Sequence, residues 1–120
     1  MTRRIEASEA QTLRAVIDYL EAQQTLGNLV YLRIHPVRPF TDKFGSLKFA
    51  KVRESQKGAP HLIVWQWQHP NLCPKSTALE VKSKTGVQSE HQKTWEANFK
   101  SIGGRYVLAR SVDEALEAVK

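Results

Sequence analysis

The run Leu79-Glu80-Val81-Lys82 sets a carboxylate and an ammonium two residues apart, each flanked by apolar side chains. Side chains alternate across an extended chain, so in a strand Glu80 and Lys82 project from one face while Leu79 and Val81 project from the other. A carboxylate held this way can ligate a divalent cation, and an ammonium beside it can stabilise negative charge developing on a bound group. The same pair on a wet face is an ordinary surface ion pair, and the spacing does not separate the two readings. Three other polar residues fall into register with it. His61 opens an apolar run eighteen residues before Leu79, and antiparallel pairing of the two runs brings it close to Glu80. Gln92 shares a helix face with Trp95 and Phe99 and so points toward the sheet, although it also completes a capping box with Ser89. Glu9 lies in register with Leu13, Val16 and Leu20 at the edge of a buried face, a place where the helix dipole favours a first-turn acid in any case.

These residues need a scaffold, and its elements are written in the pattern. Ser8 with Gln11 caps a helix from Glu9 to about Gln24, which Gly27 and Asn28 stop. Leu29 to Ile34 is β-branched and aromatic and reads as a strand ending at Pro36. Pro36 to Lys57 is irregular, with Phe40, Phe44, Leu47 and Phe49 scattered among charges, which predicts an ordered, partly packed segment with a short strand at Leu47 to Val52. His61 to Trp67 and Thr77 to Lys82 form an antiparallel hairpin across the loop His69 to Lys75. Ser89 with Gln92 opens a second helix that Gly103-Gly104 closes near Ile102. Arg105 to Ala109 is a strand, and Ser111 with Glu114 caps a last helix. The order is α-β-β-β-α-β-α. With no repeat or linker, residues 1–120 are expected to be a single compact α/β domain, a mixed β-sheet flanked by helices. Trp65, Trp67 and Trp95 are expected in the core or at a dimer interface.

Composition narrows the classes. At 120 residues, 41% hydrophobic and 25% charged, the chain has the make-up of a folded domain and is neither disordered nor collagen-like. Its apolar runs fall short of the ~20 residues of a membrane helix, and no signal peptide is expected. One cysteine, Cys73, cannot close an internal disulfide, which points to a reducing cytoplasm. The net charge is +6, which favours an anionic partner, nucleic acid above all. Between Arg33 and Lys57 seven basic residues (Arg33, Arg38, Lys43, Lys48, Lys51, Arg53, Lys57) face only Asp42 and Glu54. Nothing in the sequence looks like a base-reading module, so nucleic acid would be recognised by shape and charge.

Glu9, Lys57-Gly58-Ala59-Pro60-His61-Leu62-Ile63-Val64, Ala78-Leu79-Glu80-Val81-Lys82 and Gln88-Ser89-Glu90-His91-Gln92 occur in an order that resembles the virus-type replication-repair nuclease (VRR-NUC) domains of the PD-(D/E)xK superfamily, over nearly the whole chain. The resemblance implies a restriction-endonuclease-like fold and a metal-dependent DNA endonuclease acting on branched, flap or junction DNA, using Mg²⁺ or Mn²⁺. Residue by residue it implies that Glu80 and the backbone carbonyl of Val81 bind the metal, that Glu9 completes its outer shell, and that Lys82 activates water and stabilises charge on the phosphate. Gln92 would steady the nucleophile side. The basic stretch would grip the phosphate backbone, with Phe40, Phe44 or Phe49 stacking on unpaired bases or, as core anchors, packing beneath it. One active site per chain would require a homodimer to cut both strands of a junction.

One departure stands out. Where the family has an aspartate after the Gly-x-Pro turn, this sequence has His61. Mg²⁺ prefers oxygen ligands, whereas imidazole suits Mn²⁺ or softer ions. A natural variant with another metal, a binding domain without nuclease activity, and a deliberate substitution are all consistent with that residue, as is a histidine with no role. An interaction domain with no nucleic acid is the remaining class.

Overall fold

The computed structural model describes residues 7–34, 39–49, 52–67 and 73–120. Helix α1 (Glu9–Thr25) begins where Ser8 and Gln11 cap each other reciprocally, at 2.9 and 3.1 Å, and it ends just before Gly27, whose φ of 82° suits a residue without Cβ. Its stripe Thr12, Leu13, Val16 and Leu20 is buried. Strand β1 (Leu29–Arg33) follows, then two short strands, β2 (Pro39–Thr41) and β3 (Leu47–Phe49), and a 3-10 turn at Glu54–Gln56. Strands β4 (Leu62–Trp67) and β5 (Pro74–Val81), helix α2 (Glu90–Ser101), strand β6 (Arg105–Ala109) and helix α3 (Val112–Ala118) complete the chain.

Four strands make the main sheet in the order β1-β4-β5-β6. The first two pairings are antiparallel and β5 runs parallel to β6, so the sheet is mixed, as expected, and β5 is an inner strand. Leu29, Leu62, Val64, Leu79, Val81 and Ala109 pack from one face against Leu13, Val16 and Leu20 of α1 and Ala115, Ala118 and Val119 at the end of the chain. Each leucine buried fully here stabilises the fold by ~1.5–3 kcal/mol. The opposite face receives α2, whose Trp95 stacks on Phe99 at 5.0 Å and leans on Tyr106 of β6 at 6.3 Å. Among the described residues no helix is long and apolar enough to cross a membrane.

Several boundaries differ from the sequence reading. Strand β5 begins at Pro74 and not at Thr77; a proline at the first residue of a strand costs no ladder bond, and Lys75 pairs with Gln66 instead of lying in the loop. Segment 39–49 forms a separate two-stranded hairpin where an irregular stretch and a strand at 47–52 were expected. Its turn is fixed by the Asp42 carboxylate, which accepts from the N–H groups of Phe44 and Ser46, both at 2.9 Å, and by Gly45 at φ 80°. Phe40 and Phe44 are 50% and 81% exposed, so they are not core anchors. The tryptophans are not core either: Trp67 is 53% exposed and Trp65 and Trp95 are half-buried.

Candidate active site

The β4–β5 register pairs Leu62 with Leu79, and one step further out His61 stands beside Glu80. The hairpin thus does what the spacing of the two runs predicts: the His61 N–H donates to Glu80 Oε2 at 3.1 Å. From the third side, α2 delivers Gln92, whose Nε2 donates to Glu80 Oε1 at 3.0 Å while its Oε1 accepts from the N–H of Ser89 at 2.8 Å. The two readings of Gln92, cap and site residue, are therefore both realised by one amide. Gly58 makes this approach feasible. Its φ is 83°, and a Cβ there would meet the backbone C and O of His91 at 2.3 Å, so only glycine lets the Gly58-Ala59-Pro60 turn lie against the start of α2.

Lys82 Nζ is 3.7 Å from Glu80 Oε1, and the face they share is no solvated surface, since Glu80 is only 2% exposed. Burial pushes the Glu80 carboxyl up to about 7, against the opposing pull of the Lys82 ammonium and the His61 N–H. Desolvation of the charged form outweighs a neighbouring cation here, as it does for acids set into apolar walls. Burial also moves His61 below its ordinary range, leaving a neutral ring. Its tautomer follows from its partners: the Val81 N–H donates to Nδ1 at 3.0 Å, so the ring proton is on Nε2, which faces Glu9 Oε1 at 3.7 Å.

Glu9, His61 and Glu80 each offer a ligand atom, all within 4.8 Å of one another. Two carboxylates and an imidazole fit a divalent cation that accepts nitrogen better than they fit Mg²⁺. The fit has a cost, because the lone pair of Nδ1 is already taken by Val81 and Nε2 carries the proton; ligation through either nitrogen gives up the Val81 hydrogen bond. What the structure brings to the site from Val81 is its N–H.

The site opens into a cavity of about 380 Å³ whose walls include Ile34, Val52, Pro60, His61, Glu80 and Gln92. Of the basic set, Lys57 also lines it while pairing with Glu54 at 2.8 Å. Arg33 lies beside Arg14 and Ile17 of α1 and acts on His61 through its charge. Arg53 is exposed at the 3-10 turn, and Lys43 and Lys48 are exposed on the β2–β3 hairpin. Arg38 and Lys51 lie outside the described residues. One contributor has no sequence signal: Arg110 Nη1 donates to the carbonyl oxygens of Ser83, Lys84 and Gly86 at 2.8, 3.3 and 2.7 Å, gathering the loop that follows Lys82 onto the end of β6. Those partners are 24 to 27 residues away in sequence, and nothing local marks them.

No family model matches the sequence, and no curated protein matches it. A solved structure described as a VRR_NUC domain aligns with 94% of this chain and 96% of its own, with a TM-score of 0.55 and 17% sequence identity. At that identity the likeness establishes the fold. The chain has the fold of a VRR_NUC domain, the fold that its sequence resemblance implies.

Proposed function

We propose that residues 1–120 act as one VRR-NUC-like nuclease domain, a divalent-metal-dependent endonuclease that hydrolyses phosphodiester bonds in branched, flap or junction DNA. The observation that carries the reading is Glu80, a carboxylate buried on the sheet face yet bonded by His61 and Gln92 and set beside Lys82. A buried acid with a raised pKa, a cationic neighbour and an adjacent cavity is the signature of a working site more than of a structural one. Glu9, Glu80, the carbonyl of Val81 and, if it gives up its Val81 bond, His61 are the groups that would hold Mg²⁺ or Mn²⁺. Such an ion, when bound, polarises a phosphoryl oxygen and lowers the pKa of water.

The chain's own residues supply the rest. Lys82 presents a cation where the phosphate gains charge, a donor role worth roughly 10²–10³ in rate at comparable sites. Gln92 fixes one oxygen of Glu80 and so leaves its orientation independent of the substrate. Arg33, Arg38, Lys43, Lys48, Lys51, Arg53 and Lys57 bind the phosphate backbone without regard to sequence. With one site per chain, cleavage of both strands of a junction calls for a two-fold homodimer, and the half-exposed Val30, Leu32 and Trp67 on the outer part of the sheet are the surface it would use.

A second reading is favoured by one bond. The Val81 N–H holds His61 as an Nε2–H tautomer, which suits a nucleic-acid-binding domain with impaired catalysis as well as it suits an enzyme that prefers Mn²⁺. Titrating Mg²⁺ and Mn²⁺ in cleavage assays on branched and linear duplexes, for this chain and His61→Asp, separates the two. The enzyme reading expects cleavage with Mn²⁺ above that with Mg²⁺, and a gain in Mg²⁺-supported rate on going to aspartate. Salt-sensitive DNA binding with no cleavage by this chain in either metal, restored by His61→Asp, selects the impaired domain. Robust Mg²⁺ cleavage by this chain with no gain from aspartate removes position 61 from the metal site.

A further inference from the structure

The β2–β3 hairpin has a composition that neither core packing nor the sheet explains. Phe40, Phe44 and Leu47 are 50%, 81% and 65% exposed, and β2 and β3 pair only with each other. Phe40 and Phe44 are each matched to a lysine: Phe40 sits opposite Lys48 in the ladder, which puts both on one face, and Lys43 Nζ lies 5.1 Å above the Phe44 ring. The one acid in the hairpin, Asp42, is spent on the turn, where its carboxylate accepts from two backbone N–H groups. The hairpin is also tied to the site. Ile34, whose N–H donates to the His61 carbonyl at 2.8 Å, precedes the hairpin in sequence and Val52 follows it, and both residues wall the cavity that holds His61 and Glu80. Phe49, at the hairpin base, is three residues from Val52, so chain length alone keeps their Cα atoms within about 11 Å.

Exposed aromatics can face a protein or a nucleic acid. The cores of protein interfaces are depleted in lysine, whereas surfaces for unpaired DNA combine aromatic platforms with cations that track the phosphates. Paired Phe and Lys residues, on a chain of net charge +6, fit the second. We propose that this arm is a base-stacking element for unpaired DNA at a branch point, with Phe44 and Phe40 taking bases and Lys43 and Lys48 the adjacent phosphates, so that the arm directs the branch to the cavity at its root. The inference rests on the nuclease reading, because it supplies that site's choice of DNA structure.

The test is binding in the Glu80→Gln background without added metal, which measures recognition apart from cleavage. Fluorescence anisotropy is read for a flap and for a linear duplex of equal length, with 2-aminopurine placed in the unpaired bases of the flap. Phe44→Ala is expected to weaken flap binding about tenfold, the scale of one lost base–aromatic stack, to leave duplex binding within about twofold, and to abolish the 2-aminopurine quenching. Phe44→Trp should retain all three, and because the side chain is exposed the urea midpoint should not move. Equal loss on flap and duplex, or no change on either, overturns the arm as a stacking element while the nuclease reading stands. A shift in sedimentation from dimer to monomer on Phe44→Ala overturns it in favour of a second copy of the chain. Absence of salt-dependent binding to either DNA overturns the nuclease reading itself.

Discussion

Leu79 and Glu80 are neighbours on β5, and both are removed from water, at 0% and 2% exposure, yet they sit on faces governed by different physics. Leu79 meets α1 and α3 through apolar contacts, so its burial contributes directly to stability. Glu80 faces α2, where burial alone is unfavourable and is offset by two donated hydrogen bonds and the Lys82 charge. Equal burial therefore has opposite sign on the two faces: one holds the domain together and the other is held in place by it. A side chain held to a fixed orientation is commonly placed this way, on a rigid element of the scaffold.

The comparison breaks most visibly at Glu80 itself. Glu80→Gln keeps the shape and, through its single carbonyl oxygen, one of the two accepted hydrogen bonds, while it removes the charge and turns the other oxygen into a donor. Cleavage should fall at least about a thousandfold, over 4 kcal/mol in the barrier, while in urea unfolding at pH 8 the relieved charge burial offsets the lost bond and leaves the stability close to that of the parent chain. A variant that cleaves at the original rate would move the chemistry away from this face. Across the strand, Leu79→Ala should lower the unfolding free energy by about 2–5 kcal/mol with kcat of the remaining folded protein little changed. Lys82→Ala is expected to slow cleavage by roughly 10²–10³ without altering metal affinity measured by calorimetry; an equal loss of metal binding would make the lysine structural.

A smaller effect sharpens the contrast through pH. Because the Glu80 carboxyl is raised from 4.5 to about 7 in the folded protein, the folded state holds its proton more tightly than the unfolded state does. Its contribution to stability is full below about 4.5 and is lost as pH rises through 7. His61 has the opposite sign: its pKa is lowered, so its neutral form favours folding above 6.5 and protonation removes that contribution as pH falls. Comparing the parent with Glu80→Gln cancels the histidine to first order. Between pH 8 and pH 6 the parent should gain about 1 kcal/mol over the variant, read from paired urea titrations, and parallel curves would mean that Glu80 is already ionised at pH 6.

Much of this arrangement was legible before any coordinates. Caps at Ser8, Ser89 and Ser111 mark the three α-helices among the described residues because a polar side chain answering its own helix is a local signal. The hairpin loop fixes the register to within a few residues, and that is enough to bring His61 near Glu80. Burial of Glu80 was not legible, since it depends on α2 covering β5, a matter of packing and not of alternation. For the phenylalanines in the basic stretch the sequence left two readings open, stacking on bases or anchoring in the core, the second by the usual habit of aromatics, and the exposure of Phe40 and Phe44 removes the second for those two. The turn residues Asp42 and Gly45 did carry the hairpin signal, but no pattern says that a hairpin stands apart from the sheet. Arg110 illustrates the limit: three carbonyls come to it from another segment, and an arginine after a strand looks the same whether or not they do.

The parallel pairing of β5 with β6 also decides when the site can come into being. Strands β4 and β5 are close in sequence and need little loop closure to meet, but β6 reaches β5 only after the chain from Lys82 to Gly104 has wound α2 and turned back, and such non-local pairings are slow because entropy is lost before contacts return it. A chain halted at the β4–β5 hairpin offers Glu80 the His61 N–H and open water, without Gln92. Docking of α2 is then the moment of dehydration, and an ionised Glu80 resists it. The acid that serves the finished site thus acts as a brake on its assembly, and the folding limb of a chevron at pH 8 should run faster when glutamine stands in its place.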